Sequence, residues 1–113
     1  EKMMGYMIDG VDFEYDEEKF LLEPNYSDEA VKVIAAEEGL TLTDDHWLVV
    51  EFLRNQYRDH GQTPNFRNFL KEIDEQHPGK DWKKLLYDLF PMQPARQAVR
   101  VSGLPKPYGK GGY

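Results

Sequence analysis

Thr43-Asp-Asp-His-Trp-Leu-Val-Val-Glu-Phe-Leu-Arg-Asn-Gln-Tyr-Arg-Asp-His-Gly61 reads as one long helix, and the rest of the chain is organised by what that helix must bury. Thr43 offers an N-cap hydroxyl, Asp44 and Asp45 place negative charge in the first turn, and Gly61 provides the stop. Trp47, Val50, Leu53 and Tyr57 recur at three- and four-residue spacing, and Val49 and Phe52 widen that stripe. A helix so rich in large apolar side chains has to be covered on more than one side.

Working outward, Ser27 caps an earlier helix with Asp28 and Glu29 in its first turn, Ala30, Val31, Ile34 and Ala35 on one face, and Gly39 at its end. Further upstream, Tyr6 to Tyr15 predicts a hairpin: Asp9-Gly10 supplies the tight turn, while Val11, Phe13 and Tyr15 alternate with acids. Phe20-Leu21-Leu22 suggests a short third strand that Pro24 stops. Downstream, Thr63-Pro64 predicts a cap and first helical position for a third helix carrying Phe66, Phe69, Leu70 and Ile73 inward. Asp81 caps a fourth helix with Trp82, Leu85, Leu86 and Leu89, and a fifth runs from Pro94 to about Val101, ending at Gly103. The expected fold is therefore α+β: an N-terminal hairpin or meander packed on about five helices. Residues 1–103 form the domain. Residues 104–113, with two prolines and three glycines, form a flexible, extended C-terminal arm.

The chain has 113 residues, enough for one domain to bury roughly two-thirds of its unfolded surface without a metal or disulfide staple. It has no cysteine, which excludes disulfides, thiolate nucleophiles, persulfides, thiolate zinc sites and iron–sulfur clusters. No apolar run reaches the roughly 18 residues of a membrane span, and no signal pattern opens the chain, so a cytoplasmic protein without membrane contacts is expected. The net charge of −7 is segregated. Residues 1–45 carry 14 acids and 3 bases, residues 46–93 carry seven of each, and residues 94–113 carry Arg96, Arg100, Lys106 and Lys110 with no acid. Net acidity disfavours general nucleic-acid binding and leaves the tail as the region able to meet an acidic partner.

Chemistry is sparse. His46, His60 and His77 lie too far apart in sequence for a helical metal site, and His46 reads as structural or surface-lying, so neither metal nor cofactor is expected. Glu37-Glu38 and Asp44-Asp45 fall at helix ends, where carboxylates are ordinary. The terminal Gly-Lys-Gly-Gly has no following helix to complete a phosphate loop. Helices two and three have the lengths of a helix-turn-helix, and Arg67, Asn68 and Lys71 could reach bases or phosphates, but the acidic balance favours two ordinary packed helices.

Two further stretches carry a specific pattern. Phe90-Pro91-x-x-Pro94-Ala95-x-Gln97-Ala98, followed by Gly103-Leu104-Pro105-Lys106-Pro107-x-Gly109, resembles the C-terminal signature of the TusE/DsrC/DsvC sulfur-relay family. Glu37-Glu38-Gly39, Leu42-Thr43, His46-Trp47, Phe52-Leu53-Arg54, Tyr57, Pro64 and Leu86-Tyr87-x-Leu89 extend the likeness over nearly the whole chain. The resemblance implies a small α+β domain with a mobile arm, and a carrier that passes sulfur as a persulfide or trisulfide on arm cysteines. It implies partners in transfer-RNA thiolation or dissimilatory sulfite reduction.

The family's cysteine positions are here occupied by Val99 and Lys110, eleven residues apart, so the register is kept while the thiols are gone. A valine or an amine cannot hold sulfane sulfur as a thiolate does. The expected function is thus that of a cysteine-free, non-catalytic binding or regulatory paralogue. Its arm would dock on a sulfite reductase or sulfur-transfer protein, with Arg96, Arg100, Lys106 and Lys110 supplying charge. Leu104, Pro105, Pro107, Tyr108 and Gly109 would supply shape. The alternative is a nucleic-acid-binding regulator using Arg67, Asn68 and Lys71.

Overall fold

A computed structural model describes residues 5–107. The order of elements is β1 (Gly5–Ile8), β2 (Val11–Glu14), α1 (Asp28–Glu37), α2 (Asp44–His60), α3 (Phe66–Gln76), α4 (Trp82–Leu89) and α5 (Pro94–Val101). The α+β class and the five helices agree with expectation.

β1 and β2 form a two-stranded antiparallel sheet in which Tyr6 faces Phe13 and Ile8 faces Val11. Asp9 and Gly10 both take positive φ, 51° and 79°, as a two-residue hairpin turn requires. The third strand expected at Phe20–Leu22 does not form. Tyr15 and Leu21 make one isolated bridge, flanked by the bonds Asp16 N–H to the Phe20 carbonyl (2.9 Å) and Leu22 N–H to the Glu14 carbonyl (3.2 Å). Continuing that register would require an N–H from Pro24 to the Asp12 carbonyl, and proline has none to give.

α2 runs over the predicted span. Thr43 and His46 form a reciprocal capping box, and Gly61 takes φ 71° while its N–H bonds the Tyr57 carbonyl. α3 begins later than predicted: the cap is Asn65, whose side chain accepts from Asn68 N–H at 2.9 Å, and Thr63 is a buried loop residue. Asn65 lies two residues beyond Thr63, and it is the Asn side chain that meets a free N–H of the first turn.

α5 lies at the middle of the molecule. It packs against α1, α2, α3 and α4, and Pro94, Ala95, Gln97, Ala98, Val99 and Val101 are buried on it. α1 in turn covers β1, so hairpin, α1 and α5 form successive layers. Phe20, Phe69 and Phe90 are buried without exposure, and the Phe69 ring of α3 stacks on Phe52 of α2 with centroids 5.3 Å apart.

His46 is part of this core. Its Nδ1 accepts from Thr43 N–H (3.0 Å) and its Nε2–H donates to the Leu89 carbonyl (2.9 Å), joining the start of α2 to the end of α4. Among the described residues no His, Cys, Asp and Glu side chains gather as a metal cluster, and no helix is long and apolar enough to cross a membrane.

Tyr6 gives a pH signature. Its hydroxyl donates to the Lys19 carbonyl at 3.1 Å, and burial, followed by the Glu38 charge, pushes its ionisation well above the ordinary phenol range. An unfolded tyrosine ionises near pH ~10. The folded group ionises higher, so its contribution to stability is full below that pH and is lost as pH rises toward the folded value. The 295-nm titration curves of the protein and of Tyr6→Phe should therefore differ only where alkaline unfolding occurs. A difference that develops smoothly around pH 10, before unfolding, would contradict this placement.

Candidate functional site

The residues singled out in the tail converge on α5 and on the chain leaving it. Gln93 precedes the helix in the left-handed region (φ 64°) and contributes no side-chain cap. Gln97 organises this entry instead: its Oε1 accepts from Met92 N–H at 2.9 Å, which fixes the amide so that Nε2 donates to Glu38 Oε1 at 2.8 Å. The second Glu38 oxygen accepts from Arg100 Nε at 2.6 Å. Glu38, the C-cap residue of α1, therefore receives two α5 side chains on one mostly buried carboxylate.

One turn away, Glu18 takes Arg96 on one oxygen and Lys106 Nζ on the other, the latter at 2.8 Å. The Arg96 and Arg100 guanidiniums lie 5.5 and 5.1 Å from the centroid of the buried Phe20 ring. Thus three of the four tail cations are matched by acids of the N-terminal third, and the charge segregation seen in the sequence is an internal complementarity. The two carboxylates differ in weight. Glu18 is 43% exposed, so each of its pairs is worth no more than about 1 kcal/mol. The Glu38–Arg100 pair, 14% and 17% exposed, sits where loss of one partner strands the other.

The root of the arm is fixed by backbone. Gly103 takes φ 78°, its carbonyl accepts from Asn25 N–H at 2.8 Å, and Leu104 N–H bonds the Val99 carbonyl at 3.3 Å. Leu104 is fully buried and Pro107 is buried, Pro105 is half-buried, and Lys106 is exposed. Leu104 and Pro107 thus support the extended segment from behind, and Pro105 and Lys106 are the members that face outward. Val99 is fully buried on α5. Tyr108, Gly109 and Lys110 lie outside the described residues.

Arg67, Asn68 and Lys71 are exposed on α3. Lys71 shares a shallow surface with Asp74, Glu75, Lys80, Asp81 and Lys83, an alternation of sign rather than the concentrated positive charge a phosphate backbone needs.

Comparison with known proteins is consistent with this frame. The family profile described as "DsrC like protein" matches residues 7–110. The chain belongs to the DsrC-like family. A sulfurtransferase TusE of Photorhabdus laumondii is 35% identical over 107 residues, covering 93% of this chain and 96% of that one. The TusE of Escherichia coli is 37% identical over 103 residues, covering 89% and 94%. Among solved structures, DsrC of Allochromatium vinosum superposes with a TM-score of 0.84 at 35% identity, covering 97% of this chain and 100% of that one. The oxidized gamma-subunit of the dissimilatory sulfite reductase from Archaeoglobus fulgidus does so at 0.80 and 28%, covering 94% and 98%.

The sequence of this DsrC-like chain points to the basic residues of α5 but not to their acceptors. Nothing local marks Glu18, and Glu38 stands out only as one of an ordinary pair at a helix end. The signal that could have found them is the charge count itself, an excess of acids in one third facing a tail with none.

Proposed function

We propose that this DsrC-like chain is a docking or regulatory member of a sulfur-relay system that engages a sulfite reductase or sulfur-transfer protein and carries no sulfur itself. The observation that supports this reading is the absence of any thiol in 113 residues, while α5 and the arm root are held by a complete set of contacts. Relatives named sulfurtransferase and a neighbour described as a sulfite reductase subunit supply the class of partner. Pro105 and Lys106, continued by Tyr108 and Gly109, form the proposed contact, while Arg96 and Arg100 hold α5 to Glu18 and Glu38 behind it. Leu104 and Pro107 keep it in place. The reading carries with it a cytoplasmic site of action. The mixed charge on α3 gives the nucleic-acid alternative no support.

The lost chemistry is tested by mass spectrometry after incubation with a persulfide donor. The natural chain should gain no sulfur atom, whereas Lys110→Cys should gain one on its new thiol. A stable sulfur adduct on the natural chain would refute a non-carrying role. Docking is tested by affinity for a purified sulfite reductase or sulfur-transfer protein from the same cell. Because Leu104 and Pro107 are buried, the appropriate variant removes only residues 108–113 and reverses the charge at Lys106. Unchanged affinity in that variant would remove the arm from the interface.

A further inference from the structure

We propose that the groove beside β2 docks an extended basic peptide segment of a partner protein, at a surface separate from the α5–arm site. The groove has a volume of about 420 Å³ and is lined by Asp12, Phe13, Glu14, Leu21, Leu22, Glu23 and Pro24. Its existence follows from the missing third strand. β2 is the last strand of its sheet, and with Ile8–Val11 and Tyr6–Phe13 as the hydrogen-bonded pairs of a two-residue hairpin, the backbone groups of Asp12 point away from β1. Leu22 N–H takes the Glu14 carbonyl, but Pro24 has no N–H to offer the Asp12 carbonyl. Among the described residues no backbone carbonyl accepts from the outward Asp12 N–H either, so neither group meets a backbone partner. They can exchange two bonds with one residue of a guest strand.

The side chains specify what the guest is. Asp12, Glu14 and Glu23 line the groove and no base does, while Leu22 and Val11 beside it are 53% and 54% exposed. The acids repel a second β2 from another copy of this chain and favour lysine or arginine alternating with apolar residues. Glu18 and Glu38, which receive the tail cations, are not part of this lining, so the groove's acids are available to a partner.

The test is a titration of the isotopically labelled full chain with acetyl-Lys-Val-Lys-Val-Lys-amide, followed by amide chemical shifts. Shifts should concentrate at residues 11–14 and 21–24, and the Asp12 amide should become protected from exchange. Asp12→Lys together with Glu23→Lys should weaken binding by roughly tenfold or more. Lys106→Glu, which alters the proposed arm contact, should leave it unchanged. Shifts that map to α5 and residues 104–107, equal binding of acetyl-Lys-Gly-Lys-Gly-Lys-amide, or no binding would each overturn the proposal. None of these outcomes bears on whether the arm docks on a sulfur-relay partner.

Discussion

Gly103→Ala is expected to lower stability by about 3 kcal/mol or more, measured by urea unfolding, because two separate costs fall on one methyl group. Gly103 occupies the left-handed region at φ 78°, where an L-side chain costs roughly 1–2 kcal/mol. A Cβ built there would also stand 2.5 Å from the Asn25 carbonyl oxygen, inside any allowed contact. The neighbour is backbone, so relief requires the segment before α1 to move and the 2.8 Å bond from Asn25 N–H to the Gly103 carbonyl to break. Gly10 provides the control: its φ is 79°, yet nothing lies within 4 Å of the position its added methyl would take. Gly10→Ala should thus show the conformational cost alone. Equal losses in the two variants would mean that the close approach at Asn25 carries no weight.

Glu38→Ala is expected to cost about 3 kcal/mol, far more than Glu18→Ala at about 1 kcal/mol or less. Removing the Glu38 carboxylate leaves the Gln97 Nε2 donor buried, in a residue only 1% exposed, and leaves Arg100 with only its long 3.5 Å bond to the Glu18 carbonyl. Glu38→Gln should fall between, since an amide oxygen still accepts one of the two bonds. Salt separates the cases further. The Glu18 pairs are exposed and should be screened away near molar ionic strength, whereas the Glu38 effect should persist. If both substitutions cost the same and respond alike to salt, burial does not distinguish the two carboxylates.

Local physics was legible in the residues. The Thr43 cap, the Trp47–Tyr57 stripe and the Gly61 stop defined α2 because each acts within a turn of helix. Ser27 and Asp81 defined α1 and α4 in the same way. Errors arose where a neighbouring residue took the expected role or where a distant group decided. Thr63-Pro64 predicts the start of α3, but the cap is Asn65, whose side chain accepts from Asn68 N–H, while Thr63 is buried in the preceding loop. Phe20–Leu22 had the composition of a strand, but pairing depended on an N–H that Pro24 lacks. The tail cations were identified, yet Arg96 and Arg100 meet acids 78 and 62 residues earlier, a separation no periodicity reports. Leu104 looked like part of an outward-facing arm and is core, because Gly103 turns the chain back so that Leu104 N–H reaches the Val99 carbonyl.

The central position of α5 also bears on how the chain acquires its structure in the cell. Segments generally condense in the order in which they leave the ribosome. Here α1, α2, α3 and α4 all pack against a helix that is synthesised after them. A nascent chain that has not yet released residues 94–101 can pack α1 on β1 and α3 on α4, but it lacks the helix that all four share. Closure of the common core therefore waits for α5, and until then Val, Leu and Phe side chains of the earlier helices that α5 would cover stay open to chaperones.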